Sequence, residues 1–285
     1  MKIETLNEVM IISDEELKSL TDAIQQRHGI DFSCYEPKSL KRRIIRALHV
    51  LKFNSVHELW VKILKEHGFI YSFMDEISVG LTAMFRDPIL WIKLKELLNS
   101  DFFSSKDLTV WHAGCSTGEE VYTMGIVLKE SSFSKPVIAK ATDISKNAIE
   151  IARAGSYINM KMDEYQQNYV SFNSRGTLRK YFSDTNAGIG MMDTKLVSHV
   201  TFEYHNLITG DFNARYDIIF CRNVMIYFDN GAKLKLFDKF YNSLNDNGLL
   251  IIGFYDAVLP LIDDKKFRVL DMDSKIFQKN SSSVS

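Results

Sequence analysis

Apolar positions in the first 75 residues recur at intervals of three and four. Leu17, Leu20 and Ile24 share one helical stripe. Ser13 with Glu16 three positions on makes a capping box before them, and Gly29 supplies a stop. A second helix is expected from about Ser39 to Lys52. A third runs from the N-cap Ser55, with Glu58 at N3, to Glu66 and ends by Gly68. No period-two segment interrupts this region, so 1–75 reads as a small all-helical domain.

The pattern changes at Leu108. Short apolar runs now alternate with helical segments: "LTVWHAG", a helix over Glu119 to Lys129, "PVIAKATDI", a helix over Lys146 to Ala154, "YDIIFCRN", a helix over Lys233 to Leu244, then "GLLIIGF". Such alternation predicts a parallel, doubly wound sheet with helices on its faces. The closing "FRVLDMDSKIFQKN" reads as an antiparallel hairpin added to it. Residues 76–107 join the two regions and include a helix that starts at Pro88 and carries Trp91, Leu94 and Leu97 inward. The stretch Tyr157 to Val200 is less regular. Asn186, Gly188 and Gly190 favour a tight turn there, and a small inserted β-subdomain is expected over about 178–203. The fold class is α/β: a Rossmann-like sheet over 108–285 behind an N-terminal all-helical domain.

At 285 residues and 46% hydrophobic, the chain can bury one large core or two modest ones. A formal net charge of -1 argues against a bulk nucleic-acid binder. Cys34, Cys115 and Cys221 are scattered, which points to reduced thiols and not to a disulfide framework or a zinc site. The histidines show no metal-ligand spacing, so no metal is expected. "MKIETLNEVM" does not resemble a signal peptide, and no apolar run reaches membrane-spanning length. A cytoplasmic, monomeric protein is the expectation.

Candidate chemistry begins at "AGCSTGEEVY", Ala113 to Tyr122. Gly114 and Gly118 stand between the first strand and its helix, where a backbone approaches a ligand closely. A phosphate-binding loop needs Lys after the last glycine; this chain has Glu119. A dinucleotide fingerprint sets pyrophosphate against the helix N-terminus, and here that end opens with Glu119 and Glu120. A nucleoside ligand with positive charge near the loop remains, and S-adenosylmethionine fits. The plain alternative is that both glutamates only complement the helix dipole. Asp143, ending the second strand in "ATDIS", could accept both ribose hydroxyls, or it and Ser145 could cap the next helix.

"LTAMFRD", "WHAGCSTGEEVY", "ATDIS", "IARAGSY", "HNL" and "YDIIFCRNVMIYFD" occur in the order found in CheR chemoreceptor glutamate methyltransferases, which the chain resembles over nearly its whole length. The resemblance implies transfer of methyl from S-adenosylmethionine to receptor glutamates, giving γ-methyl esters and S-adenosylhomocysteine. It implies cofactor contacts at Thr82, Arg86, Gly114, Glu119, Asp143, Asn206, Leu207, Asn223 and Val224. Arg86 and Tyr227 are the candidate catalytic residues: Arg86 to orient the acceptor carboxylate or the site loop, Tyr227 to shape the methyl pocket. The partners implied are receptor cytoplasmic helices and, in some relatives, a receptor tail peptide laid on the β-subdomain. Nucleic acid and membrane insertion are not expected.

Several residues depart from the family pattern. Gly80 stands for the usual Asn, Met84 for the first Phe of "F-F-R", Val121 for Pro and Thr123 for Ser. "GFYD", Gly253 to Asp256, replaces a "G-H-S-E"-like run, so contacts near the acceptor differ. Gly80, Met84 and "GFYD" keep open a non-catalytic S-adenosylmethionine-binding adaptor. The segment "PKSLKRRIIRALHVLK" concentrates Lys38, Lys41, Arg42, Arg43, Arg46 and Lys52 without an acid. Its stripe of Leu40, Ile44, Leu48 and Leu51 is expected to leave those cations exposed, with Lys41, Arg42, Arg43 and Arg46 meeting an acidic receptor helix.

Overall fold

The computed structural model describes residues 11–77, 82–103, 107–158, 161–184, 189–256 and 258–280. The chain divides into two compact units, Met1–Val79 and Gly80–Ser285. The first holds helices α1 (Asp14–His28), α2 (Pro37–Val50), α3 (Val56–Lys65) and α4 (Phe69–Ile77). Ser13 and Glu16 form the expected capping box, and Gly29 ends α1 with φ 70°. The Ser55 hydroxyl accepts from Glu58 N, while Glu58 accepts from Asn54 N. The pattern had not resolved α4 as a separate helix. It buries Ile70, Phe73, Met74 and Ile77 and packs chiefly on α2.

On α2 one expectation is overturned. Arg42 and Arg46 are exposed and Lys41 is half-buried, paired with Asp14 at 2.7 Å. Arg43 is buried and donates through Nη1 to the Ile77 carbonyl. Leu40, Ile44, Ala47 and Leu48 are buried on this helix together with it. Arg43 falls on the apolar stripe because it precedes Ile44 and stands three positions from Leu40. Its guanidinium satisfies a carbonyl at the end of α4, and it does not present charge to a partner.

The second unit opens with α5 (Pro88–Asn99) and proceeds through β1 (Leu108–Ala113), α6 (Glu119–Lys129), β2 (Val137–Asp143), α7 (Lys146–Ala154), β3 (Ser156–Ile158), α8 (Met162–Phe172), β4 (Phe182–Asp184), β5 (Ile189–Met192), β6 (Val200–Tyr204), β7 (Tyr216–Cys221), α9 (Asn230–Ser243), β8 (Leu244–Ile252), β9 (Phe267–Asp271) and β10 (Ile276–Lys279). The main sheet has seven strands in the order β6-β2-β1-β7-β8-β10-β9. The first five are parallel, and β10 runs antiparallel to both β8 and β9. This is the expected Rossmann-like architecture with its terminal hairpin. The chain order reverses between β1 and β7, the place where open α/β sheets leave a crevice at the carboxyl ends of their strands. On α5, Leu98 and not Leu97 is fully buried beside Leu90, Trp91 and Leu94.

A second sheet of three strands, in the order β3-β5-β4, is antiparallel throughout. Its first strand precedes 178, and residues 200–204 belong to the main sheet. The turn residues Asn186 and Gly188 lie outside the described residues. The irregular stretch also contains α8, which lacks a side-chain N-cap and buries only Tyr165 and Tyr169, four positions apart.

Glu130, just past α6, gathers this part of the unit. Its carboxylate accepts from Tyr169 and Tyr181 hydroxyls at 2.6 and 2.5 Å, and from Lys180 Nζ and Asn173 Nδ2, both at 2.9 Å. Burial alone would raise its pKa, but these donors bring it from 4.5 down to about 2. A depressed carboxyl contributes stability above its ordinary pKa and loses it as pH falls through the folded value. Glu130→Gln should therefore lower neutral-pH stability by about 1–3 kcal/mol. It should also flatten the acid slope between pH 4.5 and about 2. Urea denaturation across that range checks both, and a variant with wild-type slope and midpoint would count against this role.

Candidate functional site

The carboxyl ends of β2, β1 and β7 bring three loops together. After β1, Gly114 N and Cys115 N both donate to the Thr142 carbonyl, at 2.8 and 2.9 Å. Gly114 has φ 86° and Gly118 φ 94°, a region that side chains rarely enter. A Cβ at Gly114 would strike the Val224 side chain, and one at Gly118 would lie 2.7 Å from Ala152 Cβ. The clearance these glycines give is to the protein's own atoms: Gly114 seats the β7 loop, and Gly118 seats α6 against α7. Asp143 ties the loop ends, accepting Ser116 N at 2.8 Å and Ser145 N at 2.9 Å through different oxygens. Ser145 caps α7 through Ala148 N. Asp143 is half-buried.

The two adjacent glutamates have opposite surroundings. Glu120 accepts from His112 Nδ1 at 2.8 Å and Arg222 Nη1 at 3.0 Å. Burial would raise its pKa, but the His112 bond and the Arg222 charge outweigh this and hold it below the usual range. Glu119 is 5% exposed, and its side-chain partners are neutral hydroxyls: Thr117 at 2.7 Å, Tyr165 at 3.3 Å, and Thr82. It forms no ion pair among the described residues. Burial therefore raises its pKa, and the hydroxyls offset this only in part. Glu120 is a satisfied structural charge, whereas Glu119 is a buried carboxylate with only neutral partners.

Arg222 connects Glu120 to the segment before α5. Its Nη2 donates to Asp87 Oδ2 at 2.7 Å and to the Arg86 carbonyl at 3.0 Å. That carbonyl also accepts from Trp91 Nε1 at 2.9 Å. Asp87, with φ 58°, precedes Pro88 but spends its carboxylate on Arg222 and makes no side-chain cap. Phe85 N donates to the Thr123 hydroxyl at 3.0 Å, and Asn168 Nδ2 donates to the Met84 carbonyl. The turn that carries Thr82 and Arg86 is thus fastened from α5, α6, α8 and the residue that follows β7. Met84 is fully buried, so its departure from the family's Phe is a packing change. Thr123 keeps a hydroxyl that is used. Gly80 lies outside the described residues.

Two further loops complete the arrangement. Past β6, His205 N donates to the Asp143 carbonyl, which sets Asn206 and Leu207 close to the end of β2. Asn206 Oδ1 accepts Ile208 N at 2.9 Å, and Lys239 from α9 donates to the carbonyls of Leu207, Ile208 and Gly210. Past β7, Asn223 has φ 59° and donates its N–H to Asp256 at 2.8 Å. Asp256 also accepts Gly253 N at 2.7 Å and Ile226 N at 3.2 Å. Its burial raises its pKa to about 6 against these three bonds. Tyr227, half-buried, ends a short 3-10 turn, Met225–Tyr227.

Thr82 bonds Glu119, Gly114 seats Val224, and Asp143 reaches the loop after β1 through Ser116 N. Sequence reasoning missed His112, Tyr165, Arg222, Lys239 and Asp256 as supports. An arginine ending a buried-type strand was the one available signal, since such a charge requires buried partners.

Residues 80–276 match the family described as CheR methyltransferase, SAM-binding domain, and residues 15–78 match the CheR methyltransferase all-alpha domain. The chain belongs to the CheR methyltransferase family. A Pseudomonas putida protein named Cher3 is 31% identical over 94% of this chain and 98% of that one. Chemotaxis protein methyltransferase 2 of Pseudomonas aeruginosa is 30% identical over 84% of this chain and 85% of that one. The chemotaxis protein methyltransferase of Listeria monocytogenes is 27% identical, covering 85% of this chain and 90% of the relative. The second unit is thus a CheR-type, S-adenosylmethionine-dependent methyltransferase domain, and no described helix is long and apolar enough to cross a membrane.

Breaking a buried ion pair leaves an uncompensated charge and costs about 3–5 kcal/mol. Arg222→Met should lower stability by that order, and adding Glu120→Gln should recover part of the loss. Strict additivity in a denaturation double-mutant cycle would show that the two side chains are not coupled.

Proposed function

We propose that this CheR protein methylates glutamate side chains of chemoreceptor cytoplasmic helices, in the adaptation step of chemotaxis. The observation that carries the reading is Glu119: a buried carboxylate at the sheet's switch point, held by hydroxyls, raised in pKa by burial and without a cation partner among the described residues. That is a poor site for phosphate and a good one for the ammonium of S-adenosylmethionine. Asp143, which accepts Ser116 N and Ser145 N through different oxygens at the end of β2, serves the ribose hydroxyls. Asn206 and Leu207 serve the adenine side, with Gly114, Asn223 and Val224 completing the cofactor wall.

The cofactor, when bound, supplies a methyl group on a positively charged sulfur. The acceptor glutamate is ionised at neutral pH and needs no strong base. The task left to the protein is alignment and exclusion of water. Arg86 orients the acceptor carboxylate from a turn whose carbonyl is fixed by Trp91 and Arg222. Thr82 bonds Glu119 from the same turn. Tyr227 shapes the methyl pocket. On α2, exposed Arg42 and Arg46, with Lys41, give the acidic receptor a basic face, which chiefly speeds encounter. The three-stranded sheet is where a receptor tail peptide would add as a strand.

Incubation with radiolabelled S-adenosylmethionine and a receptor cytoplasmic fragment should give base-labile label on the fragment. Cofactor binding without transfer to any cognate receptor would contradict the enzyme reading. Arg86→Ala should reduce turnover by about 100-fold, with a much smaller loss of cofactor affinity. Wild-type turnover in that variant would reject the role given to Arg86.

A further inference from the structure

The loop after β8 exposes two aromatic side chains where the family usually places polar ones. Phe254 is 40% exposed and Tyr255 is 72% exposed. The backbone on either side of them is tied down. Gly253 packs so closely that a Cβ there would lie 2.6 Å from Asn223 N, and Asp256 is fully buried. Asp256 bonds Gly253 N on its own loop and Asn223 N and Ile226 N on the other. Phe254 and Tyr255 are therefore fixed to the same carboxylate that fixes Asn223 and the turn ending at Tyr227. Tyr255 makes no hydrogen bond or ring contact among the described residues. Lys275, in the turn between β9 and β10, lies over the Phe254 ring with Nζ 5.5 Å from its centroid. Leu259, 42% exposed, follows a few residues later.

Loops with exposed aromatics on a preorganised backbone make efficient contact surfaces, because little side-chain entropy is lost on binding. Adjacent pieces of this patch are apolar and cationic, which suits an acidic polypeptide bearing apolar side chains and does not suit a small free carboxylate. Building on the receptor-methylation reading, we infer that Phe254 and Tyr255 form an acceptor lip: they grip apolar side chains flanking the target glutamate, while Lys275 meets a neighbouring acid. The lip selects an acceptor by sequence around the methylated position and takes no part in cofactor binding.

The test uses the full-length protein and a receptor cytoplasmic fragment, with fragment binding followed by fluorescence anisotropy separately from methyl transfer. Tyr255→Ala, at a well-exposed position, and the Phe254→Ala/Tyr255→Ala pair should each weaken fragment binding and raise the fragment's KM, the pair by about tenfold or more. S-adenosylmethionine affinity, which also reports folding, should stay within about twofold. Tyr255→Phe, which keeps the ring, should bind like wild type. Unchanged fragment binding in the pair, with wild-type transfer intact, overturns the lip and leaves the enzyme reading standing. Fragment binding without transfer by wild type sinks the enzyme reading, and the lip is then judged on binding alone. A fragment that wild type neither binds nor methylates overturns both.

Discussion

Arg222, the residue just past β7, shares its guanidinium among the Glu120 and Asp87 carboxylates and the Arg86 carbonyl, at 2.7 to 3.0 Å. Its side chain is 4% exposed, so none of these bonds is replaced by water at low cost. Glu120 comes from the first turn of α6, Asp87 and Arg86 from the turn before α5, and Arg222 from just past β7, the strand beside β1. His112 on β1 closes the group by bonding Glu120 and stacking on Phe220 at 4.6 Å, and Trp91 stacks on the same ring at 5.7 Å. One buried cluster therefore fixes the helix that follows the glycine loop and the turn that carries Thr82 and Arg86. A pair like this adds little net stability over an apolar replacement, but losing one member is costly. Its service here is geometric: the backbone that carries Arg86 is tied at once to Arg222 and to Trp91.

The same cluster explains the paired glutamates. Glu120 points into the arginine group and is consumed by it. Glu119, one residue earlier, meets neutral hydroxyls and its own backbone N–H among the described residues. The helix dipole favours both carboxylates but does not account for the burial of either. Two neighbours thus sit in opposite environments: one is neutralised by Arg222 and His112, the other is buried among hydroxyls.

Elements with strong periodicity or clear caps were legible from the residues. Helix α6 and α7 bounds, the Ser13–Glu16 box, the parallel strands and the terminal hairpin all follow local rules that tertiary packing does not overrule. Helix α8 was not legible: it has no capping side chain, and its burial rests on Tyr165 and Tyr169, whose hydroxyls serve Glu119 and Glu130 across the fold. Arg43 was misread for a similar reason, since its partner is a carbonyl 34 residues away. The glycines of the loop were read as clearance for a ligand, yet the atoms they clear are Val224 and Ala152. Local sequence reveals periodicity and chemistry. It does not reveal which distant atom a side chain will meet.

Calorimetric titration of S-adenosylmethionine into wild type and Glu119→Gln at neutral pH tests the central claim most directly. Glu119 is taken to supply the charge that the cofactor's ammonium requires. A charge-assisted hydrogen bond contributes about 1.5–3 kcal/mol, so the variant should bind roughly 10- to 100-fold more weakly while keeping its fold. Equal affinity in wild type and Glu119→Gln would contradict the account.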